Sequence, residues 1–415
     1  MIEVIFHSLH KERKNIELQS PLTKVAMTIL DQSVHVHRNE KIFVQYNSGA
    51  IELFEEISKL ALKRKIHIRG QPADSFEIAN NLKDPDHGKV TRYINDMAKL
   101  NEENIIWANK TVYIRSNDFP HAFDDVPLEV DNEYNQAFVH ASKIRDRKPW
   151  CVTCVPTKAE AEEEKINYQD YLKMYSEACN RNWKKIHRAQ DVLIKKILNP
   201  GKELTLKAGR HENGSRDTDL KMSIAGQTFA NETIELNVPG SEVFSSPVRG
   251  TISGRLTIPY SINLDNHIVP NLTLTFAEGK VVKVEVKNPD QISNNVQMEE
   301  LVNSILDSTP GMREVGEVAF GTNRAFNRAL INPLFVEKVG GSFHIALGDS
   351  FKYLNNLFAG KKVKVDNEVE SNKHNDLTCI MLPEYGGGEV YVDGKLIQKD
   401  GEFLDPRLKA LNEKN

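Results

Sequence analysis

The sequence predicts an α/β N-terminal domain with a parallel sheet, followed by an α+β, β-rich C-terminal domain. Three observations predict it. A strand–helix–strand unit stands near the start of the chain, short alternating strands recur through the second half, and Asn199-Pro200-Gly201 punctuates the sequence between them. The expected domains are therefore residues 1–199, which include a connecting helix, and residues 200–415.

Lys41-Ile42-Phe43-Val44-Gln45 is rich in β-branched and aromatic residues and reads as a strand. Asn47-Ser48-Gly49 then supplies turn and N-cap chemistry. From Ala50 onward, Leu53, Phe54, Ile57, Leu60 and Ala61 keep helical spacing. Lys65-Ile66-His67-Ile68 reads as the next strand. A strand, helix and strand at this length form a βαβ unit, which implies parallel pairing. Ile105 to Trp107 and Val112 to Ile114 extend the same pattern. The turn at Gly49 has one glycine and matches neither a dinucleotide fingerprint nor a Walker sequence, so it does not point to a nucleotide.

Tyr168 to Leu198 holds a long helical pattern through Tyr171, Met174, Tyr175, Ala178, Trp183, Ile186, Ala189, Leu193 and Ile197. Asn199-Pro200-Gly201 stops it. Strand candidates follow at Lys202–Ala208, Ile234–Val238, Gly250–Pro259, Leu272–Phe276, Val281–Val286 and Glu389–Val392. Glu278-Gly279 and Asp393-Gly394 are hairpin turn signals, and Met298 to Leu306 reads as a helix.

Composition narrows the function. Lys plus Arg number 54 against 58 Asp plus Glu, a net charge of -4, which argues against a nucleic-acid binder. No apolar run approaches the ~20 residues of a membrane helix. Met1 to Lys14 lacks the basic start, apolar core and small-residue cleavage site of a secretory signal. With only four cysteines, the expected setting is the reducing cytoplasm. Cys151 and Cys154 form a lone C-x-x-C with no second pair to complete a zinc ribbon, and buried strand cysteines are the expectation.

The C-terminal half concentrates potential metal ligands: Glu242, Glu317 after Gly316, Glu337, His344 after Gly340-Gly341, then His374 and Asp376. In an extended segment, residues i and i+2 share a face, so His374 and Asp376 would converge on one point. Carboxylates mixed with imidazoles suit zinc, cobalt or manganese, and a bridging carboxylate can hold two such ions. Spacing alone leaves the plainer alternative open: a His-x-Asp is more often a surface or hydrogen-bonded pair, and a Glu after a Gly a solvated residue.

Several segments together resemble the metallopeptidases of the M29 family, of the aminopeptidase T and aminopeptidase S type. They are Lys148-Pro-Trp-Cys-Val-Thr-Cys-Val-Pro-Thr157, Tyr175-Ser-Glu-Ala-Cys179, Thr218-Asp219-Leu220, Asn237-Val-Pro-Gly-Ser-Glu-Val-Phe-Ser-Ser-Pro247, Gly316-Glu-Val-Ala319, His344-Ile-Ala-Leu-Gly348 and His374-Asn-Asp376. The resemblance implies an aminopeptidase that removes N-terminal residues from peptides with a free N-terminus, using two divalent metal ions (zinc, cobalt or manganese). It also implies a homodimer. Carried onto this chain, Glu242 and Asp376 would ligate one ion, Glu317 would bridge, and His344 and His374 would serve the other with Glu337 beside them. Glu317 or Glu337 would relay the proton of the attacking water.

Two departures from the family pattern bear on that expectation. The family carries a tyrosine seven residues after the first histidine, where this chain has Phe351, with Tyr353 the nearest phenol. Before the histidine the family has Asp-Glu, where this chain has Val336-Glu337. The first departure implies a weaker or altered activity, and the second makes Glu337 the ligand that rests most on alignment.

Overall fold

The structure, a computed structural model, describes residues 20–119, 121–211, 213–287, 294–351, 354–356, 361–363 and 365–414. Met1–Lys14 and Tyr353, both weighed in the sequence, lie outside the described residues. The chain divides into two compact units, Met1–Asn180 and Arg181–Asn415.

In the first unit, strands β1 (Lys41–Tyr46), β2 (His67–Pro72), β3 (Lys110–Ser116) and β4 (Trp150–Val155) run parallel in the order β2-β1-β3-β4. Helix α1 (Ile51–Arg64) buries Leu53, Ile57 and Ala61, and a 3-10 turn at Ser48–Ala50 leads into it. Lys65, expected to open the second strand, instead caps α1 in the left-handed region at φ 61°, so β2 starts at His67. Likewise Ile105–Trp107 close helix α2 (His87–Trp107), because Ile105 continues the buried face of Val90 and Ile94.

In open parallel sheets, ligands favour the crevice where strand order reverses. Here that point lies between β1 and β3, and Asp118 fills it. Its Oδ2 accepts the Gly49 N–H at 2.8 Å and the Ser116 hydroxyl at 2.6 Å. A Cβ on Gly49 would meet Asp118 Oδ1 at 1.8 Å. A carboxylate held there repels a phosphate. Cys151 and Cys154 sit on β4, and all four cysteines are buried.

The long helical pattern divides into α3 (Tyr168–Cys179) and α4 (Trp183–Leu193). Asn182 causes the restart: its side chain accepts the Lys185 N–H at 3.2 Å and caps α4. The division between the units therefore falls after Asn180, where the sequence pointed to Asn199–Gly201. Gln190 of α4 shows why. It is buried, and its Nε2 donates to Ser241 Oγ at 2.9 Å and Thr322 Oγ1 at 3.0 Å in the second unit.

The strands of the second unit are β5 (Glu203–Arg210), β6 (Arg216–Ser223), β7 (Ala230–Glu232), β8 (Asn237–Val238), β9 (Glu242–Ser245), β10 (Ser253–Ile258), β11 (Ile262–Leu264), β12 (His267–Val269), β13 (Leu272–Ala277) and β14 (Lys280–Val286). They continue with β15 (Val315–Gly321), β16 (Ser342–Gly348), β17 (Leu354–Asn356), β18 (Lys361–Val363), β19 (His374–Ile380), β20 (Gly388–Val392), β21 (Lys395–Lys399) and β22 (Glu402–Phe403). Helix α5 (Asn295–Asp307) follows β14, and the short α6 (Pro333–Val336) precedes β16.

An eight-stranded sheet runs β14-β13-β10-β6-β5-β20-β21-β22, and a five-stranded sheet runs β19-β16-β15-β9-β7. Both hairpin signals hold. Glu278 and Gly279 (φ 49° and 78°), like Asp393 and Gly394 (φ 50° and 75°), have the paired positive φ of a type I′ turn. The strand expected over Ile234–Val238 shrinks to β8. Glu235 Oε2 accepts the N–H of Thr233 and Ile234, and Glu232 Oε1 accepts those of Leu236 and Asn237, so side chains take the donors a ladder would need. Among the described residues, no helix is long and apolar enough to cross a membrane.

Candidate metal centre

The five-stranded sheet assembles the site by register. Ala346 of β16 lies opposite Asp376 on β19 and Glu317 on β15. His344, two residues back on β16, shares that face. Gly348, two residues on, lies opposite His374. Glu242 begins β9 opposite Gly321, two positions along β15 from Ala319, the partner of His344. Between the ligand positions the face thus carries small residues, Ala319, Gly321, Ala346 and Gly348, and the long polar side chains meet above them.

Strand β15 is bulged between Val315 and Glu317. Gly316 is required there, because a Cβ on it would meet Gly348 O at 2.3 Å and Asp349 O at 2.6 Å. The Asp349 carbonyl accepts from His374 Nδ1 at 2.7 Å. That bond directs His374 Nε2 to the cluster, where it lies 3.7 Å from Glu317 Oε2 and 3.5 Å from Asp376 Oδ1. His344 Nε2 sits 3.3 Å from Glu317 Oε1, 3.4 Å from Glu242 Oε2 and 3.8 Å from Asp376 Oδ1.

Three trios bring ligand atoms within 4.8 Å of one another: Glu242–Glu317–His344, Glu317–His374–Asp376 and Glu337–His344–Asp376. All six residues singled out in the sequence are brought together. The first two trios share Glu317 and associate His344 with Glu242 and His374 with Asp376, whereas the family-based division placed both histidines on one ion.

The electrostatics are those of a crowded, dry cluster. Burial pushes the Glu317 carboxyl up, against the lowering effect of the His344 hydrogen bond and the His374 charge. Burial also raises Glu337, well above its ordinary range, with Lys338 opposing and Asp376 and Glu242 reinforcing the shift. For His374, burial disfavours the cation, but the charges of Asp376 and Glu317 and the Asp349 carbonyl outweigh it and lift the imidazole to about 10. Burial would raise Asp376 too, yet the His374 charge beside it holds it well below the usual carboxylate range.

Two groups in the cluster were not foreseen. Lys338 is 1% exposed, and its Nζ lies 2.6 Å from Glu242 Oε1 and 2.8 Å from Glu337 Oε1. Glu232, opposite Glu242 across β7 and β9, is 2% exposed and is pushed up to about 8, chiefly by burial. The sequence singles out Glu337 but not Lys338, because a lone lysine reads as solvated, and only the return of the chain after α6 turns it inward. Phe351, the departure noted in the sequence, packs edge-on against His374 with ring centroids 5.4 Å apart and is 44% exposed.

The donor set fits a divalent cation. Glu242 Oε2, Asp376 Oδ1 and His344 Nδ1 are buried with no hydrogen-bond partner, and the two oxygens face the cluster. Buried acceptors are rarely left so. Carboxylate oxygens and imidazole nitrogens match zinc, cobalt or manganese.

A parallel α/β unit joined to a β-rich unit with a buried carboxylate–imidazole cluster describes a metal-dependent enzyme class. The chain belongs to the thermophilic metalloprotease family M29, whose family model matches residues 18–381. It is 24% identical over 284 residues to Aminopeptidase 2 of Geobacillus stearothermophilus, covering 62% of this chain and 64% of that one. It is 24% identical over 198 residues to Aminopeptidase AmpS of Bacillus subtilis (strain 168), covering 45% and 44%. The matched region thus spans less than two thirds of the length of these relatives.

Among solved structures, wild-type AmpT from Thermus thermophilus superposes with a TM-score of 0.71 at 17% identity, covering 93% of this chain and 99% of that one. The 2,5-dihydroxypyridine dioxygenase of Pseudomonas putida KT2440 superposes at 0.54 with 11% identity, covering 94% and 99%. At these identities the likenesses show a shared fold, and one fold carries differently named enzymes.

Proposed function

We propose that this chain is a metal-dependent aminopeptidase that removes the first residue from peptides with a free N-terminus. The carrying observation is the convergence of Glu242, Glu317, Glu337, His344, His374 and Asp376, with buried oxygens of Glu242 and Asp376 lacking a hydrogen-bond partner. The family pattern calls for two ions (zinc, cobalt or manganese), and Glu317, common to two of the ligand trios, would hold the one bound more tightly. When bound, they would polarise the scissile carbonyl and lower the pKa of the attacking water.

The chain's own groups would do the rest. Asp376, which the His374 charge holds ionised, is ready to ligate a cation without first losing a proton. Glu337, whose carboxyl burial pushes well above its ordinary range, is suited to hold a proton and pass it to the leaving amine, with Glu317 the other candidate for that relay. The Phe351 ring, exposed beside His374, offers an apolar wall to the substrate. A homodimer and a cytoplasmic setting complete the reading; light scattering tests the first.

The deciding experiment strips the protein with a chelator and refills it with cobalt, zinc or manganese before assay on aminoacyl chromogenic substrates. Activity should return with metal, and blocking the substrate's amine should abolish it. Inactivity with every metal across a wide pH range sinks the proposal.

A further inference from the structure

We propose that Lys338 is a built-in cation standing in the place of a second metal ion, so that the centre holds one divalent ion tightly. The proposal rests on the metal-dependent reading of this site and assigns its stoichiometry.

Four observations carry it. First, the Lys338 side chain is 1% exposed, and its Nζ contacts one oxygen each of Glu242 and Glu337, at 2.6 and 2.8 Å. These are two of the ligands a second ion would need, and the ammonium already occupies them.

Second, the lysine is fixed from the backbone. The Asn323 N–H donates to the Lys338 carbonyl at 2.9 Å, and the Gly340 N–H donates to the Asn323 carbonyl at 2.9 Å. A Cβ on Gly340 would meet Arg324 N at 2.8 Å, so the loop packs too closely to swing away as it stands. Third, Glu232 lies opposite Glu242 on the neighbouring strand, so a third acidic side chain stands beside the one that holds the ammonium.

Fourth, the other side of the cluster carries no such competitor. Among the described residues, no lysine or arginine pairs with Glu317 or Asp376, whose ion-pair partners are His344 and His374. One ion at Glu317, His344, His374 and Asp376 is therefore compatible with Lys338 in place. A second ion on Glu242 and Glu337 would meet a fixed positive charge at contact distance and would have to break a buried ion pair.

The test counts ions on the full chain. Chelated protein is dialysed to equilibrium against cobalt(II) or manganese(II) alone, and bound metal is measured by plasma emission. Wild type should take one equivalent, with any second at least roughly 100-fold weaker, as breaking a buried pair requires. Manganese-loaded wild type should give the electron paramagnetic resonance spectrum of an isolated ion, and Lys338→Met should bind a second equivalent and show a coupled pair.

Two equivalents of similar affinity in wild type, or a coupled manganese pair there, overturn the proposal. So does a folded Lys338→Met that still binds one. If that variant fails to fold, the wild-type count decides alone. Aminopeptidase activity on the same samples keeps the two readings distinct. Two bound ions with activity defeat only the role of Lys338, whereas no bound ion defeats the metal-dependent reading and this proposal together.

Discussion

His374 Nδ1 lies 2.7 Å from the backbone carbonyl oxygen of Asp349, and that carbonyl packs where a Cβ on Gly316 would stand. A backbone position on β15 thus aims a ligand on β19. Such supporting bonds fix the tautomer and orientation of ligating histidines. Gly316→Ala should push the Asp349 carbonyl away and weaken metal binding by roughly 10–100-fold. Titration calorimetry with cobalt(II) on a variant shown by circular dichroism to be folded checks this, and unchanged affinity would show that the carbonyl does not orient the imidazole.

Phe351 stands 5.4 Å, centroid to centroid, from His374 and 6.1 Å from Phe244. Phe351→Tyr adds a hydroxyl at the position where the family has one. A single well-placed donor to developing charge is worth ~100-fold or more at its best, so an increase in kcat of about 10-fold is expected, with bound metal unchanged. Because the ring is 44% exposed, stability should move by less than ~0.5 kcal/mol. An unaltered kcat would mean that the phenol has no part in this chain's reaction.

The sequence made the strand–helix–strand unit legible because α1 and β1 obey simple periodicities, and it exposed both hairpins because Glu278-Gly279 and Asp393-Gly394 need positive φ. It offered the six candidate ligands by residue type, and family resemblance gave them roles, since residues scattered from Glu242 to Asp376 converge only through sheet register. Lys338 was not legible for the same reason. A lone lysine reads as surface, and its burial depends on Asn323 holding the loop. The division after Asn180 was hidden because the apolar pattern continues through it, while the break depends on one capping side chain, Asn182.

Away from the centre, Arg249 grips Glu314 with two bonds, Nε to Oε2 at 2.7 Å and Nη2 to Oε1 at 3.0 Å. The Arg249 hydrogen bond holds the Glu314 carboxyl below its ordinary value despite partial burial. A depressed carboxylate contributes stability above its unfolded pKa, about 4.3, and loses it as pH falls through the folded value. Glu314→Gln should therefore cost about 1 kcal/mol near pH 7, and the deficit should be smaller near pH ~3. Urea unfolding of both proteins at the two pH values measures it; an equal deficit at both would assign the loss to packing.

The four cysteines give a prediction about chemistry the chain should lack. All are buried, and burial pushes the Cys379 thiol up to about 12. Thiolate is the reactive form. A disulfide-exchange reagent at mildly alkaline pH should find almost no thiol in the native protein and all four after denaturation. Rapid native labelling of Cys151 or Cys154 would reopen a redox role for the C-x-x-C on β4.

Metal removal should be felt in stability as well as activity. Without a divalent ion, Glu317, His344, His374 and Asp376 are left with mutual contacts longer than ordinary hydrogen bonds or at their outer limit, 3.3 to 3.8 Å. An ion that binds the native state alone stabilises it by ~2.7 kcal/mol at a hundredfold excess over its Kd. For a unit of this size that is a rise in Tm of roughly 5–10 °C. Thermal unfolding with chelator and with manganese(II) measures the difference. Glu317→Gln, which removes the charge common to two ligand trios, should abolish most of the metal-dependent rise. If the rise survives in that variant, the stabilising ion sits elsewhere on the protein.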